Sequence, residues 1–87
     1  MNNAHKTKSD ILKAMGHPVR FCIVDGLLAG ERNVAAMGHC TGVPQPTVSQ
    51  HLRILKAAGI IKGKRVGSQI FYTVCSKEAK KIVAALK

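Results

Sequence analysis

The chain has 87 residues, of which 46% are hydrophobic, and a formal net charge of +10 with an isoelectric point near 10.1. This length predicts one small domain over residues 1–87, and the hydrophobic content is too high for a disordered polycation. No apolar run approaches the roughly 18–20 residues of a membrane span, and the N-terminus lacks the apolar core of a signal peptide. We therefore expect a cytoplasmic protein with no membrane partner.

Two helices are predicted in the first third of the chain. The first is short: it starts at Ser9, carries apolar residues at helical spacing over 11–15 and ends at the Gly-His-Pro segment 16–18. Pro18 then opens a second helix at its first turn, and Gly30 terminates it. That second helix is apolar on so many sides that we interpret it as the central buried helix.

A second pair of helices follows. The third helix covers about 33–40 and is separated by the turn 41–44 from a fourth, which starts near Pro46 and runs to Ala58. Gly59 is its predicted stop.

The last third of the chain is predicted to be a β-hairpin and a helix. Strands over 60–65 and 69–74 flank Val66-Gly67-Ser68, and residues 77–86 return to helix. Two helices around a tight glycine-containing turn, followed by a basic hairpin, are typical of a winged helix-turn-helix. The predicted fold class is therefore mostly α with a small β-hairpin wing (α+β), with about five helices plus a two-stranded wing.

The second half of the chain is strongly basic. Between Arg32 and Lys77 there is no Asp or Glu. The cations of this window are Arg32, Arg53, Lys56, Lys62, Lys64, Arg65 and Lys77. Its solvent-facing surface must be positive, and a polyphosphate is the complementary partner, so double-stranded DNA is the predicted ligand.

The fourth helix has a core face and an outer face. Its core-facing residues at i, i+4 and i+7 are Val48, Leu52 and Leu55. At 100° per residue, Ser49, Gln50 and Arg53 then point to the opposite side. Gln pairs bidentately with adenine and Arg with guanine, so Gln50 and Arg53 are the best candidates for base readout.

Other residues of the same region suit contacts to the DNA backbone. Thr47 lies near the helix N-terminus, where hydroxyl and backbone N–H groups bind phosphate, and Lys56 joins the wing residues at the backbone or minor groove. His51 lies between the apolar and outer faces. We expect it to be a half-buried flank residue more often than a base reader, and rank it below Gln50 and Arg53. The predicted DNA-binding residues are Thr47, Ser49, Gln50, His51, Arg53, Lys56, Lys64, Arg65, Ser68 and Gln69.

Two segments resemble the ArsR/SmtB family of bacterial winged-helix repressors over nearly the full length. They are LKAMGHPVRFCIVDGLL and VPQPTVSQHLRILKAAGIIKGKRVGSQIFYTV. The most specific motif is Ser-x-His-Leu-x-x-Leu-x-x-Ala-Gly-Ile over Ser49–Ile60, and His17-Pro18-x-Arg20 is a weaker match. The resemblance implies a homodimer that packs through its first and last helices. It also implies an imperfect palindromic operator upstream of stress or metal-resistance genes, and an inducer that lowers DNA affinity.

The resemblance does not extend to the metal sites of the family. Arsenic- and cadmium-type members carry Cys-x-Cys on the third helix, where this chain has Asn33-Val34-Ala35. Zinc- and nickel-type members place Asp and His on the last helix, where residues 77–87 offer only Glu78. His39-Cys40 supplies two further ligand types, but adjacent residues point apart on a helix and two ligands leave a tetrahedral site half empty. We expect no metal and no cofactor.

The cysteines leave a thiol switch open. Three cysteines without a CxxC motif do not form a disulfide framework. Redox- or persulfide-type members pair a cysteine on the second helix with one late on the last helix, which has none here, so the pair to consider is Cys22 and Cys75. Cys22 in an apolar helix packs like a small hydrophobe, whereas Cys75 precedes a helix N-terminus beside Lys77, a setting that favours a reactive thiol.

Alternative functions are a constitutive or architectural winged-helix DNA binder and a winged-helix protein-interaction module. An architectural protein binds random and operator DNA alike, whereas a specific repressor prefers its operator by roughly 10³-fold or more. An interaction helix should expose apolar or aromatic anchors, and the outer face of the fourth helix is polar and cationic. The chain has no acid/base pair, phosphate-cradling glycine loop or nucleophile motif, so we expect no enzymatic activity.

Overall fold

The computed structural model describes residues 3–30 and 33–86, without the side chains of His39 and Cys40. Its elements in chain order are α1 (Asn3–Met15), α2 (Pro18–Leu27), α3 (Val34–Thr41), α4 (Gln45–Ala57), β1 (Ile61–Val66), β2 (Gln69–Val74) and α5 (Lys77–Leu86). Five helices and one antiparallel two-stranded hairpin confirm the predicted fold class. No helix in this part of the chain is long and apolar enough to cross a membrane.

Helix α1 is longer than the sequence pattern predicted. It begins at Asn3, six residues before the expected start at Ser9, and residues 3–10 are all exposed. The apolar pattern marks only the part of the helix that packs, which includes buried Ile11 and Met15. The exposed first turns contact no core, so no apolar periodicity records them.

Helix α2 lies at the centre of the fold and contacts every other helix and strand β2. Its N-terminus has Pro at the first turn and is capped by His17, whose Nδ1 accepts a hydrogen bond from the backbone N–H of Val19 at 3.1 Å. The helix ends at Leu27, three residues before the predicted terminator Gly30. Its buried residues are Ile23, Val24 and Leu27.

Helices α3 and α4 form the helix-turn-helix. Asn33 caps α3, because its side-chain oxygen accepts a hydrogen bond from the N–H of Ala36 at 3.0 Å. Gly42 ends α3 at φ 73°, a left-handed conformation that glycine adopts without steric cost. Helix α4 then begins at Gln45, one residue before the predicted start.

One cluster of buried apolar side chains joins the helices to the base of the hairpin. It draws on α1, α2, α3, α4, the start of β1 and α5, with Val24, Val48, Leu55, Ile60 and Ala79 fully enclosed. Burial of such side chains contributes roughly 1.5–3 kcal/mol each. The cluster therefore fixes α4 by its inner face.

The hairpin leaves this core at its base and extends into solvent. Strands β1 and β2 pair from Ile61–Val74 at the base to Val66–Gln69 at the tip. Only Ile61 of the twelve strand residues is buried, and residues 62–70 are all exposed. Residues 62–70 of the wing thus face solvent, whereas Tyr72 and Val74 pack against the core.

Candidate nucleic-acid interface

The outer face of α4 has the composition that the sequence predicted. Ser49, Gln50, Arg53 and Lys56 are exposed, while the three predicted core residues of the same helix are buried. Ser49, Arg53 and Lys56 line a groove that Tyr72 of β2 closes on the other side. Arg53, one of the two base-reading candidates, therefore borders the same groove as the base of the wing.

The wing adds exposed cations to this surface. Lys62, Lys64 and Arg65 of β1 are exposed, as are Ser68 and Gln69 at the turn and the start of β2. Since the sequence contains no acid from Arg32 to Lys77, no carboxylate of that window offsets the positive charge. The surface is therefore suited to the phosphates of a nucleic acid.

One hydrogen bond ties the wing to the helix-turn-helix. Nδ2 of Asn33 donates to Oε1 of Gln69 at 3.2 Å, although the residues are 36 positions apart. Asn33 thus caps α3 with its oxygen and holds the wing with its nitrogen. Gln69 keeps one acceptor lone pair on Oε1 and the two N–H donors of its amide beside this hydrogen bond.

His51 and Thr47 occupy the flank of α4. Both are half-buried, whereas the other predicted contact residues are exposed. Nδ1 of His51 lies 3.1 Å from Nη1 of Arg20, and its ring centroid is 4.6 Å from that of His17. Burial, and then the neighbouring His17 and Arg20, lower the pKa of His51 from its usual 6.5. These causes favour the neutral imidazole, which lies against the N-terminal turn of α2.

The two candidate switch cysteines have different environments. Cys22 is half-buried on α2, in keeping with a packing role. Cys75 is exposed between β2 and α5, and its Sγ lies 3.5 Å from the carbonyl oxygen of Gly59, to which it donates. The side chains of His39 and Cys40 lie outside the described residues, as does Arg32.

Metal-ligating side chains do not converge in the described part of the chain. No group of three or more His, Cys, Asp or Glu there could hold an ion. Glu78 instead lies beside Ser76, whose Oγ donates to Glu78 Oε2 at 3.4 Å and accepts from the N–H of Ala79 at 3.1 Å. These contacts cap the N-terminus of α5.

Sequence reasoning missed Arg20 and Asn33 as parts of this region. Arg20 reaches His51 across 31 positions and Asn33 reaches Gln69 across 36. Both separations are far longer than the repeat of a helix or a strand, so no periodic pattern in the sequence indicates either contact. The only available signal for Arg20 was the weak His17-Pro18-x-Arg20 family match.

The family model "Bacterial regulatory protein, arsR family" matches residues 17–62, from the cap of α2 to the start of the wing. The biofilm growth-associated repressor of Xylella fastidiosa is 38% identical over 90% of this chain and 68% of its own. The transcriptional repressor SmtB of Mycobacterium tuberculosis is 42% identical over 85% of this chain and 55% of its own.

Solved structures agree over nearly the whole chain. HlyU from Vibrio cholerae superposes with a TM-score of 0.91 at 29% identity, covering 99% of this chain and 94% of its own. A homodimeric winged helix-turn-helix DNA-binding domain from Mycobacterium bovis, described as a possible ArsR-family regulator, gives a TM-score of 0.85 at 28% identity. That match covers 95% of this chain and 77% of the other.

Proposed function

Because the chain belongs to the arsR family of bacterial regulatory proteins, we propose that it is a repressor that binds a specific operator in double-stranded DNA as a homodimer. The family consists of DNA-binding transcriptional regulators and not of enzymes. Repression requires that the protein distinguish its operator from other DNA and occupy it long enough to block transcription. The residues of α4 and the wing provide the chemistry for both.

The outer face of α4 is the main support for specific DNA binding. Gln50 and Arg53 are exposed on a helix whose inner face is fully packed, so both side chains project from a fixed support. Gln pairs with adenine and Arg with guanine in the major groove, and a well-formed bidentate pair discriminates by about 1–3 kcal/mol. We assign base readout to these two residues, with Ser49 as a less discriminating neighbour.

Phosphate binding falls to the residues around that face. Lys56 borders the groove that Tyr72 of the wing also lines, and Lys64 and Arg65 are exposed further along β1. Ser68 and Gln69 add hydrogen-bond donors at the wing tip, and Thr47 adds a hydroxyl in the first turns of α4. These contacts orient the protein on any sequence and carry the salt dependence of binding.

Dimerisation is proposed through α1 and α5. These helices pack against each other and still leave Leu12 58% and Leu86 70% exposed. Two large apolar side chains on adjacent helices are a surface that a second copy can cover. A two-fold dimer presents two α4 helices, which calls for a palindromic operator with half-sites about one helical turn apart.

The test is binding of the purified, reduced protein to its own upstream DNA and to a scrambled duplex of equal length and composition at fixed salt. We expect a preference of roughly 10³-fold for the upstream DNA. Equal affinity for the two duplexes would replace the repressor with an architectural DNA binder, and no affinity for either would favour a protein-interaction module. Sedimentation equilibrium of the same sample measures the dimer.

We propose that oxidation of thiols is the signal that releases the protein from DNA. Exposed Cys75 reacts first and Cys22 is its partner. The same binding assay, repeated after mild oxidation, tests it. The switch is supported if oxidation abolishes operator binding, reductant restores it, and the Cys75→Ser variant keeps its binding after oxidation. Binding indifferent to oxidation keeps the repressor and removes the switch.

A further inference from the structure

Arg20 connects three helices through one side chain. Its Nε donates to the carbonyl oxygen of Ala14 in the last turn of α1 at 2.6 Å, and its Nη1 lies 3.1 Å from Nδ1 of His51 on α4. Arg20 itself is on the first turn of α2 and is half-buried. The bond to Ala14 fixes the guanidinium before it meets His51, which makes the second contact directional.

The contact with Arg20 determines where the proton of His51 resides. A guanidinium has only donors, so Nδ1 of His51 must be the acceptor in this pair. Neutral imidazole carries one proton, which must then be on Nε2. The lowered pKa of His51, caused by burial, His17 and Arg20, keeps the ring in this neutral form. His51 is therefore a fixed Nε2–H donor.

The Nε2–H of His51 is open to an external acceptor. In the part of the chain that the structure describes, Nε2 of His51 has no hydrogen-bond partner. Every buried side-chain nitrogen or oxygen there does have a partner, so Nε2 is not buried and reaches the surface. His51 lies one turn after Thr47 on the flank of α4, beside rather than on the base-reading face. At the flank of a helix seated in the major groove, the nearest acceptors are phosphate oxygens.

We infer that Arg20 is a positioning residue for operator binding, which holds His51 in the tautomer whose Nε2–H donates to a DNA phosphate. This inference rests on the proposed DNA-binding function and deepens it. Arg20 acts through His51 and does not itself touch DNA. The ring of His17, with its centroid 4.6 Å from that of His51 and its plane tilted by 44°, supports the same ring from the α2 cap.

Two substitutions at position 51 separate the two nitrogens. His51→Gln places an amide donor near the position of Nε2 but has no tautomers for Arg20 to select. His51→Asn places an oxygen near the position of Nδ1, which Arg20 can still reach, but withdraws the outward donor. We expect operator affinity to fall about tenfold in His51→Asn and less than about threefold in His51→Gln, because a hydrogen bond to a charged group is lost only in the first.

The decisive measurement is the effect of Arg20→Leu in two backgrounds. With His51 present, we expect Arg20→Leu to lower operator affinity about tenfold beyond any loss it causes with Gln at position 51. A direct contact of Arg20 with DNA, or a general loss of charge, would lower affinity equally in both backgrounds and would overturn the inference. Thermal unfolding of each variant confirms that the proteins compared are folded at the assay temperature.

A spectroscopic readout tests the tautomer without DNA. Long-range proton–nitrogen correlation spectra of the imidazole should show His51 as Nε2–H in the natural protein and as a mixture of tautomers in Arg20→Leu. An Nδ1–H tautomer in the natural protein would overturn the inference. If the natural protein fails to prefer its operator, the proposed function fails with it; if it prefers the operator but the two backgrounds respond alike, only the role of Arg20 fails.

Discussion

The outer face of α4 and the wing carry the same sign of charge but are supported in different ways. Three buried residues hold α4 against the core, whereas the wing has one buried residue at its base and only exposed residues from 62 to 70. A base edge has to be met within a fraction of an ångström, while a phosphate tolerates a mobile cation. This fold therefore places its rigid support under the helix to which we assign base readout.

The cross-helix hydrogen bonds follow the same division. The Arg20–His51 contact behind α4 is half-buried, and the Asn33–Gln69 contact at the wing is exposed. An exposed hydrogen bond between neutral side chains competes with water and contributes little net stability. The base of the wing is therefore held by Ile61, Tyr72 and Val74 at the core, its exposed end is tied only through Gln69, and α4 is fixed by three buried residues.

Arg53→Ala tests whether α4 reads bases. We expect a loss of about 1–3 kcal/mol in operator binding and a weaker preference for operator over scrambled DNA, because a bidentate base contact is removed. Titration of both duplexes at one salt concentration measures the loss and the preference together. Unchanged operator affinity would mean that the base-reading face is wrongly assigned.

A matched pair of valines tests the difference in support. Val48→Ala on α4 removes two methyl groups from a fully buried site, and we expect the free energy of unfolding to fall by about 2 kcal/mol. Val66→Ala at the wing tip makes the same change at a residue that is 52% exposed, with an expected effect of about 0.5 kcal/mol or less. Urea denaturation followed by circular dichroism compares them, and equal effects would contradict the distinction.

Lys64→Ala tests whether the wing acts on phosphates alone. We expect weaker binding to operator and scrambled DNA by the same factor, with the slope of log affinity against log salt reduced by about 1. The salt series is run beside Arg53→Ala, which should change preference. A selective loss on the operator would assign base readout to the wing as well.

Protonation of histidine at low pH should weaken the support of α4, through His51, and leave the wing unaffected, because residues 61–74 contain no histidine. The folded-state pKa of His51 lies below 6.5, so the unfolded chain binds more protons as pH falls through that value. Stability contributed by neutral His51 is therefore complete above about pH 6.5 and is lost below it. His51→Gln should show a flatter dependence of unfolding free energy between pH 7 and pH 5 in urea titrations, and an equal slope would exclude this role.

Much of the interface could be predicted because it depends on local patterns. The positions of Val48, Leu52 and Leu55 define the inner face of α4, and this leaves Gln50 and Arg53 outside whatever the rest of the chain does. The start of α1 was missed for the converse reason. Its first turns are exposed and leave no apolar pattern to detect.

Helical and strand periodicities and charge are properties of neighbouring residues, so the sequence was enough to predict five helices, the hairpin, the basic second half and the outward residues of α4. The contacts of Arg20 with His51 and of Asn33 with Gln69 could be seen only in the folded chain. These contacts depend on how α2 crosses α4 and how the wing folds back on α3. Such geometry follows from packing of the shared core, and no short-range spacing encodes it.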